Sequence, residues 1–398
     1  MQIEKNSPVC WLFCTVIDNF GDIGVSWRLA QILSREYGIA VHLWLDDADA
    51  LRTLCPDLPA GLPCRYQNIY LYPWQPGKSA EYLNEAPAPD LVIETFACDL
   101  PENVLNAIRT HQALWLNWEY LSAEEWAEAM HGKPSPQADG QQKYFWLMGF
   151  TEQSGGLLRE KNYAELVQYP IEDFRLSLCL SEKTAPEWLL FGYESPVWLQ
   201  WLETWRQSSQ PITLLLAGNQ VIQSLKRSGA LPADALQHSG DTFQTGMVKL
   251  VRIPFIPQSD FDKLLHLCDG AIVRGEDSFI RAQFAAKPFF WFIYPQEENV
   301  RIGKLHAFWQ KATAGWPEHL KQAHQNLSNE LNGATTLNAA TRLAAWQTLM
   351  QHFPLWQAQS ENWRGYLFAQ SSAAEKLAAF IKSSSNVDIF PPQHSIRD

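Results

Sequence analysis

The chain has 398 residues, which is enough for two or three domains of ordinary size. Hydrophobic residues make up 46% of the chain and charged residues 19%, so the composition excludes global disorder and supports a large buried core. The formal charge of −12 argues against a protein that holds the phosphate backbone of a nucleic acid.

Targeting signals and cysteine usage predict a cytoplasmic protein. The first residues lack the basic and apolar regions of a signal peptide, and the apolar runs are well short of the ~20 residues that span a membrane. The seven cysteines are scattered and form no Cys-x-x-Cys pair, which is typical of reduced thiols. Nothing in the sequence indicates an oligomer, and we expect a monomer.

Short apolar strands alternate with helical segments in the first half of the chain. The sequence VCWLFCTVI at 9–17 predicts a buried strand, and IGVSWRLAQILSREYG at 23–38 predicts a helix that ends at Gly38. Further strands are predicted at 40–45, 90–96 and 113–119. This alternation is typical of a parallel sheet covered by helices, and such sheets bind ligands at the carboxyl ends of their strands.

A second alternation begins near residue 211. It comprises strands at 211–218, 248–256, 270–275 and 288–295 and helices at 257–268, 276–286, 338–353 and about 360–382. The sequence therefore predicts an α/β protein with two doubly wound, Rossmann-like domains that face each other across a cleft. We place the domains at 1–183, completed by the helix at about 360–382, and at 184–358, with a flexible tail at 384–398.

Two carboxylates lie in the turn after the first predicted strand. Asp18 and Asp22 flank Gly21 in the sequence DNFGD, and the first basic residue after them is Arg28, inside the predicted helix. Taken alone, Asp22 could cap the helix and Asp18 could begin an Asx turn. The alternative is that these acids attract a cationic group.

The segment 264–296 carries the strongest local pattern. A short strand leads into Arg274, Gly275, Glu276, Asp277 and Ser278, where a helix starts. The first turn of a helix has free N–H groups and the positive end of the dipole, so a diphosphate fits there. Acids in a first turn also suit the dipole without any ligand, which is the simpler explanation of Glu276 and Asp277.

Together these segments resemble the EarP family, the protein-arginine rhamnosyltransferases of the GT-B class that modify bacterial elongation factor P. The matching segments are DNFGDIGVSWRLA (18–30), NWEYLSAEEW (117–126), GFTEQSGGLLRE (149–160), PEWLLFGYE (186–194), PFIPQSDFDKLL (254–265) and RGEDSFIRAQFAAKPFFWFIYPQ (274–296). They occur in the family's order over most of the first 300 residues, and only their combination is specific.

The resemblance implies an inverting transfer of L-rhamnose from dTDP-β-L-rhamnose to an arginine side chain of elongation factor P. The first domain would bind this acceptor protein and the second the donor. Asp22 would be the base, with Asp18 as its partner in orientation, and Glu276 would grip the donor or help to orient the acceptor. The roles of the two aspartates can be exchanged. A guanidinium has a pKa above ~12 and is therefore a cation and a poor nucleophile. Carboxylates beside it can bind this cation and accept a proton as it attacks the sugar.

The resemblance also implies a set of donor contacts in the second domain. Phe191, Tyr193 and Phe255 would contact the nucleobase, and Gln258 would hydrogen-bond to the base or ribose. Arg274, Glu276, Asp277 and Ser278 would lie at the diphosphate, and Tyr294 would line the sugar pocket. We expect no metal and no other cofactor, because GT-B enzymes hold the leaving diphosphate with a helix end and side chains. The expected partners include no nucleic acid and no membrane.

Other functions remain open on the sequence alone. A GT-B enzyme similar to the heptosyltransferases would act on a lipid-linked saccharide, and a non-catalytic module would bind a protein partner in a Trp-rich cleft. Asp47-x-Asp49 resembles the metal-binding DxD motif of GT-A transferases, although a solvated helix start explains it as well. The preference for dTDP over UDP rests on the resemblance only.

Overall fold

The structure is a computed structural model that describes residues 7–18, 20–138, 140–295 and 300–384. Its internal contacts divide the chain into two compact units. The first unit contains the described residues of Met1–Lys161 and of Gln370–Asp398, and the second contains those of Asn162–Ala369.

An eight-stranded sheet forms the centre of the first unit. Its strands are β1 (Val9–Cys14), β2 (Ala40–Leu45), β3 (Cys64–Tyr66), β4 (Ile69–Pro73), β5 (Leu91–Thr95), β6 (Leu114–Glu119), β7 (Pro134–Pro136) and β8 (Gln142–Leu147). Its helices are α1 (Gly21–Tyr37), α2 (Ala48–Leu54), α3 (Glu102–His111) and α4 (Glu125–Met130), with α15 (Ala373–Ser384) from the end of the chain.

The strand order in this sheet is β3-β4-β2-β1-β5-β6-β8-β7. The six central strands run parallel, and the short edge strands β3 and β7 pair antiparallel with β4 and β8. The chain leaves β1 toward β2 on one side and later returns to β5 on the other side. The carboxyl ends of β1 and β5 therefore form the topological switch point, where doubly wound sheets bind ligands.

A six-stranded sheet forms the centre of the second unit. Its strands are β9 (Glu187–Leu190), β10 (Ile212–Leu216), β11 (Thr242–Thr245), β12 (Val248–Arg252), β13 (Gly270–Arg274) and β14 (Phe289–Phe292). Its helices are α5 (Tyr163–Leu166), α6 (Ile171–Ser177), α7 (Val197–Gln207), α8 (Gln220–Arg227), α9 (Phe261–Leu267), α10 (Asp277–Phe284), α11 (Val300–Ala312), α12 (Glu318–Leu331), α13 (Ala339–Gln351) and α14 (Phe353–Phe368). The strand order is β11-β12-β10-β9-β13-β14, so the switch point lies between β9 and β13.

Tryptophan supplies much of both cores. In the first unit, Phe13 stacks on Trp44 with ring centroids 4.9 Å apart. In the second unit, Trp188 meets Trp346 edge to face at 5.2 Å. Such aromatic pairs stabilise the fold beyond the contribution of the large apolar area that each ring buries. This explains why most of the tryptophans lie in the core.

Three boundaries differ from the sequence-based expectations. The first strand ends at Cys14 and not at 17, because the following residues form a turn. The predicted helix at about 360–382 is two helices, α14 in the second unit and α15 in the first. The contacts divide the units after Lys161, whereas the sequence placed the boundary after 183. The predicted tail at 384–398 lies, beyond its first residue, outside the described residues.

The early boundary has a physical cause in the segment before β9. In α6, Arg175 pairs with Glu187 of β9 through two hydrogen bonds of 2.8 and 2.9 Å, and both side chains are buried. Tyr169 donates a hydrogen bond to the carbonyl of Lys263 at 2.9 Å. These contacts attach residues 162–183 to the second unit.

Candidate functional site

The turn between β1 and α1 is held by the side chain of Asp22. Its Oδ2 accepts the backbone N–H groups of Ile17 at 2.7 Å and of Asp18 at 2.8 Å. Asp22 lies in the first turn of α1, whereas the N-cap residue is Phe20, which makes no side-chain capping bond. Asp22 therefore does not cap the helix as the simpler alternative supposed. It binds the preceding chain segment.

Burial and hydrogen bonds act on Asp22 in opposite directions. The residue is 2% exposed, and desolvation raises the pKa of its carboxyl above the usual value. The hydrogen bonds from the N–H groups of Asp18 and Ile17 oppose this effect on the pKa without cancelling it. A carboxylate with a raised pKa is a better proton acceptor near neutral pH than an exposed one.

Asp18 is half-buried and lies close to Gly21. The N–H of Gly21 donates to the carbonyl of Asp18, and a Cβ at position 21 would lie 2.7 Å from Oδ2 of Asp18. Only glycine leaves room for the Asp18 carboxylate in this place. The structure thus brings Asp18 and Asp22 together in one turn, at the switch point of the first sheet.

The neighbouring strand ends contribute residues that the sequence analysis missed. Phe96, directly after β5, has a left-handed backbone with φ +58°, and its ring stacks on Tyr120 at 4.2 Å. Tyr120 directly follows β6. No local pattern in the sequence showed this contact, because it depends on which strands are neighbours in the sheet.

The second predicted group lies where β13 leads into α10. Gly275 has φ +62°, and Glu276 is the N-cap residue of α10 without a side-chain capping bond. The Ser278 hydroxyl donates to the carbonyl of Arg274, and Trp291 Nε1 donates to the carbonyl of Gly275 at 3.0 Å. The turn is thus fixed from both sides, while the first N–H groups of α10 lie at the switch point.

Arg274 is buried between aromatic rings. Its guanidinium carbon lies 4.5 Å from the ring centroid of Phe191 and 4.8 Å from that of Tyr193. Its Nη1 donates to Oε1 of Gln220 at 2.6 Å, a contact that the sequence did not indicate. The cation therefore covers one face of each ring, and the nucleobase contacts assigned to Phe191 and Tyr193 stay predictions.

The remaining predicted donor contacts lie around these residues. Gln258 Nε2 donates to Oδ2 of Asp277 at 2.8 Å, which joins two of the predicted residues. Tyr294 packs against Tyr193 at 5.5 Å, and Phe255 is 43% exposed between β12 and α9. All predicted donor contacts thus belong to the second unit, and Asp18 and Asp22 belong to the first.

The alternative metal motif has a structural explanation. Asp47 is the N-cap residue of α2, and its Oδ1 accepts the N–H groups of Asp49 and Ala50 at 3.0 and 2.9 Å. The predicted helix start is therefore confirmed. Among the described residues, no three His, Cys, Asp or Glu side chains are grouped so as to hold a metal ion. In the described part of the chain, no helix has both the length and the apolar character needed to cross a bilayer.

Comparison with known families identifies the chain. The model of the family described as elongation factor P (EF-P) rhamnosyltransferase EarP matches residues 10–382. The chain belongs to the EarP family. As a member, it is a protein-arginine rhamnosyltransferase, and the expectation drawn from the sequence resemblance is confirmed.

Relatives in the EarP family match along nearly the whole chain. A protein-arginine rhamnosyltransferase of Neisseria meningitidis serogroup B is 60% identical over 384 residues, which cover 96% of this chain and all of that protein. The protein-arginine rhamnosyltransferase of Pseudomonas aeruginosa is 38% identical, with 93% of this chain and 97% of that protein covered.

Solved structures agree on the fold. One whose subject is the structural basis for EarP-mediated arginine glycosylation of translation elongation factor EF-P has a TM-score of 0.63 and 28% identity. It covers 95% of this chain and 99% of that chain. UGT2 of Phytolacca americana, complexed with UDP-2-fluoroglucose and pterostilbene, has a TM-score of 0.52 at 10% identity. The match covers 96% of this chain and all of that one. At this identity it shows the fold alone. The predicted α/β fold of the GT-B glycosyltransferases is confirmed, and neither the lipid-saccharide transferase nor the non-catalytic module is supported.

Proposed function

We propose that this EarP enzyme transfers L-rhamnose from dTDP-β-L-rhamnose to an arginine side chain of elongation factor P, with inversion at the sugar carbon. The family description names EF-P, and the similar solved structure concerns arginine glycosylation of that factor. The observation that carries the proposal is the buried carboxylate of Asp22, with its raised pKa, in the switch-point turn beside Asp18.

In the proposed reaction, the acceptor guanidinium lies against the acids of the first unit. A guanidinium nitrogen attacks the anomeric carbon of rhamnose, the bond from that carbon to the diphosphate oxygen breaks, and the diphosphate leaves with the electron pair. Asp22 accepts the proton that the nitrogen loses and later releases it to solvent. Asp18, whose carboxylate lies against Gly21, holds and orients the guanidinium.

The second unit binds the donor in this proposal. The leaving diphosphate binds the first N–H groups of α10, and Arg274 adds a positive charge beside them. Glu276 at the start of α10 accepts hydrogen bonds from the rhamnose hydroxyls. The aromatic residues Phe191 and Phe255 offer surfaces for the thymine ring, and Gln258 contacts the base or ribose.

The proposal includes no metal and no other cofactor. Positive charge for the leaving group comes from Arg274 and the helix start, so activity should persist in the presence of EDTA. The chain would act as a monomer in the cytoplasm, where cysteines remain reduced. It would not bind nucleic acid or a membrane.

Intact-mass spectrometry tests the proposed substrates. The purified chain is incubated with elongation factor P and dTDP-β-L-rhamnose, and peptide mapping follows. We expect a gain of one deoxyhexose on a single arginine, and no gain on an acceptor whose mapped arginine is replaced by Lys. Unmodified acceptor after complete incubation, or equal transfer from a UDP-hexose, would overturn the assignment of acceptor or donor.

A further inference from the structure

Two buried hydroxyl groups, those of Ser26 and Thr95, contact both ends of the turn between β1 and α1. Thr95 is the last residue of β5, and Ser26 lies in the second turn of α1. Both residues are 0% exposed, and the buried residues of these two elements are mostly apolar. A hydroxyl in such surroundings destabilises the fold unless it is hydrogen-bonded, so each of the two needs partners.

Thr95 binds the strand that enters the turn. Its Oγ1 donates to the carbonyl of Phe13 at 2.9 Å. Phe13 is the second-last residue of β1, and its partner on β5 is Glu94, the residue before Thr95. The hydroxyl therefore adds a side-chain bond between β1 and β5 at the point where the strand ends and the turn begins.

Ser26 binds the helix that leaves the turn. Its Oγ donates to the carbonyl of Asp22 at 2.9 Å and lies 3.1 Å from Oγ1 of Thr95. A hydroxyl has one proton, and Thr95 donates its own to Phe13, so Ser26 shares its proton between its two acceptors. The two hydroxyls thus form one continuous hydrogen-bonded chain from Phe13 in β1 to Asp22 in α1.

The turn between these two anchored ends holds the carboxylate of Asp22. Its Oδ2 accepts the N–H groups of Ile17 at 2.7 Å and of Asp18 at 2.8 Å. Asp22 is therefore bound at its carbonyl by Ser26 and at its carboxylate by the turn. A shift of either end of the turn would move the carboxylate, and a misplacement of about 1 Å in a catalytic site can slow a reaction by about 10²-fold.

We propose that Thr95 and Ser26 are positioning residues for the transfer, whose hydroxyl chain fixes both ends of the turn and so holds the Asp22 carboxylate in place to accept the proton. The inference deepens the proposed function and rests on it. Valine at position 95 and alanine at position 26 would occupy similar space without burying a polar group, so packing alone does not require the hydroxyls. A fully bonded polar network in a core instead makes one arrangement rigid, which is what a catalytic turn needs.

Steady-state kinetics of rhamnose transfer, expressed per folded chain, are the first test. Thr95→Val removes one hydroxyl at nearly constant volume, and Thr95→Ser restores it. Thr204→Val is the control, because it removes a buried hydroxyl that donates to the carbonyl of Gln200 at 2.9 Å in the second unit. We expect kcat to fall about tenfold in Thr95→Val and in Ser26→Ala, and to stay within about twofold of wild type in Thr95→Ser and Thr204→Val. The KM for dTDP-rhamnose should stay constant in all four variants, because the predicted donor contacts belong to the second unit.

Hydrogen exchange of the Ile17 and Asp18 amides, followed by NMR on the full chain, tests the turn without the reaction. Both amides donate to Asp22, so their exchange reports whether the carboxylate keeps its place. We expect exchange about tenfold faster in Thr95→Val and Ser26→Ala, and at the wild-type rate in Thr95→Ser and Thr204→Val.

Wild-type exchange of both amides in Thr95→Val, or a wild-type kcat in that variant, would overturn the proposal. A kcat in Thr95→Ser as low as in Thr95→Val would also overturn it, because the hydroxyl is then not the group that matters. Should Thr95→Val fail to fold, Ser26→Ala decides by the same two measurements. A wild-type chain that does not modify elongation factor P would refute the proposed function instead, while the exchange rates would still decide whether the hydroxyls hold the turn.

Discussion

Because Asp22 is buried, the free energy of unfolding of the chain should depend on the ionisation of this residue and therefore on pH. Burial raises the pKa of Asp22 above its unfolded value, which is ~3.9 for an aspartate. A carboxyl of this kind favours folding fully below the unfolded pKa, and this contribution is lost as pH rises through the folded pKa. Ionised Asp22 is therefore a source of instability at neutral pH.

Asp22→Asn removes that charge and keeps an oxygen that accepts N–H groups. Relative to wild type, we expect the free energy of unfolding of the variant to increase as pH rises above about 4, the unfolded pKa, and to level off once pH exceeds the folded pKa of Asp22. Urea denaturation at a series of pH values measures the difference, with exposed Asp57→Asn as the control. A difference between variant and wild type that is constant over this range would contradict the pKa direction.

The contact between Gly21 and Asp18 gives a second residue-level prediction. In Gly21→Ala, the new Cβ would lie 2.7 Å from Oδ2 of Asp18, so the carboxylate must rotate. Position 21 begins α1, where alanine is favoured, so the free energy of unfolding should change by less than about 1 kcal/mol. Transfer should fall by about tenfold or more, because the loss of one oriented charge costs about 1.5–3 kcal/mol.

Gly365→Ala is the matched control for this change. Gly365 lies in α14 with nothing within 4 Å of an added Cβ, so the variant should be slightly more stable and fully active. Steady-state kinetics and thermal unfolding of both variants make the comparison. Normal transfer by Gly21→Ala would show that the position of the Asp18 carboxylate has no role in transfer.

At the scale of secondary-structure elements, α15 holds the loop that follows β8. Lys376 Nζ donates to the carbonyls of Thr151, Glu152 and Ser154 at 3.0–3.1 Å. Gln370 Nε2 donates to the carbonyl of Phe150 at 3.0 Å. Gln370 and Lys376 therefore fix a loop at the carboxyl edge of the first sheet.

Lys376→Met should loosen this loop without unfolding the unit. Three carbonyls lose their charged donor, which should cost about 2 kcal/mol and speed hydrogen exchange at residues 149–157. Hydrogen exchange followed by mass spectrometry measures the effect, with Lys382→Met on the same helix as control. Equal exchange in both variants would mean that Lys376 does not hold the loop.

Elements with strong periodicity were predictable from the sequence. The helix predicted at 23–38 is α1, and Gly38 ends it with φ +66°, as its position indicated. The predicted strand 40–45 is β2. In these two segments, the hydrophobic pattern, the length and the residues at the ends all indicate the same secondary structure, so the prediction was reliable.

The break between α14 and α15 was missed, although the sequence contains its signal. Ser372 and Glu375 form a capping box, in which Ser372 N–H donates to Glu375 and Glu375 N–H donates to Ser372 Oγ. The helical composition on both sides concealed it. Tyr120 was missed for a different reason, since its stacking on Phe96 depends on strand order, which no local pattern reveals.

At the scale of the whole molecule, the predicted catalytic acids Asp18 and Asp22 lie in one unit and the predicted donor contacts in the other. A change in the second unit should therefore act on the donor alone. Arg274→Lys loses the planar contact with Phe191 and Tyr193 and the bond to Gln220, and lysine does not replace this geometry. We expect the KM for dTDP-rhamnose to rise about tenfold and the KM for the acceptor to stay constant.

Arg227→Lys provides the comparison for Arg274→Lys. Arg227 pairs with Glu194 on the surface of the same unit, and such exposed pairs contribute little. Initial rates with each substrate varied in turn separate the two KM values. An equal rise of both values in Arg274→Lys would contradict the assignment of this residue to the donor.

The most direct test of the account compares donor binding with transfer in Asp22→Asn. Calorimetry gives the Kd for dTDP-rhamnose, and intact-mass spectrometry gives the rate at which elongation factor P gains a deoxyhexose. The account predicts an unchanged Kd and a rate lower by about 10²–10⁴-fold, the usual effect of removing a general base. Transfer at the wild-type rate, or loss of donor binding together with transfer, would contradict it.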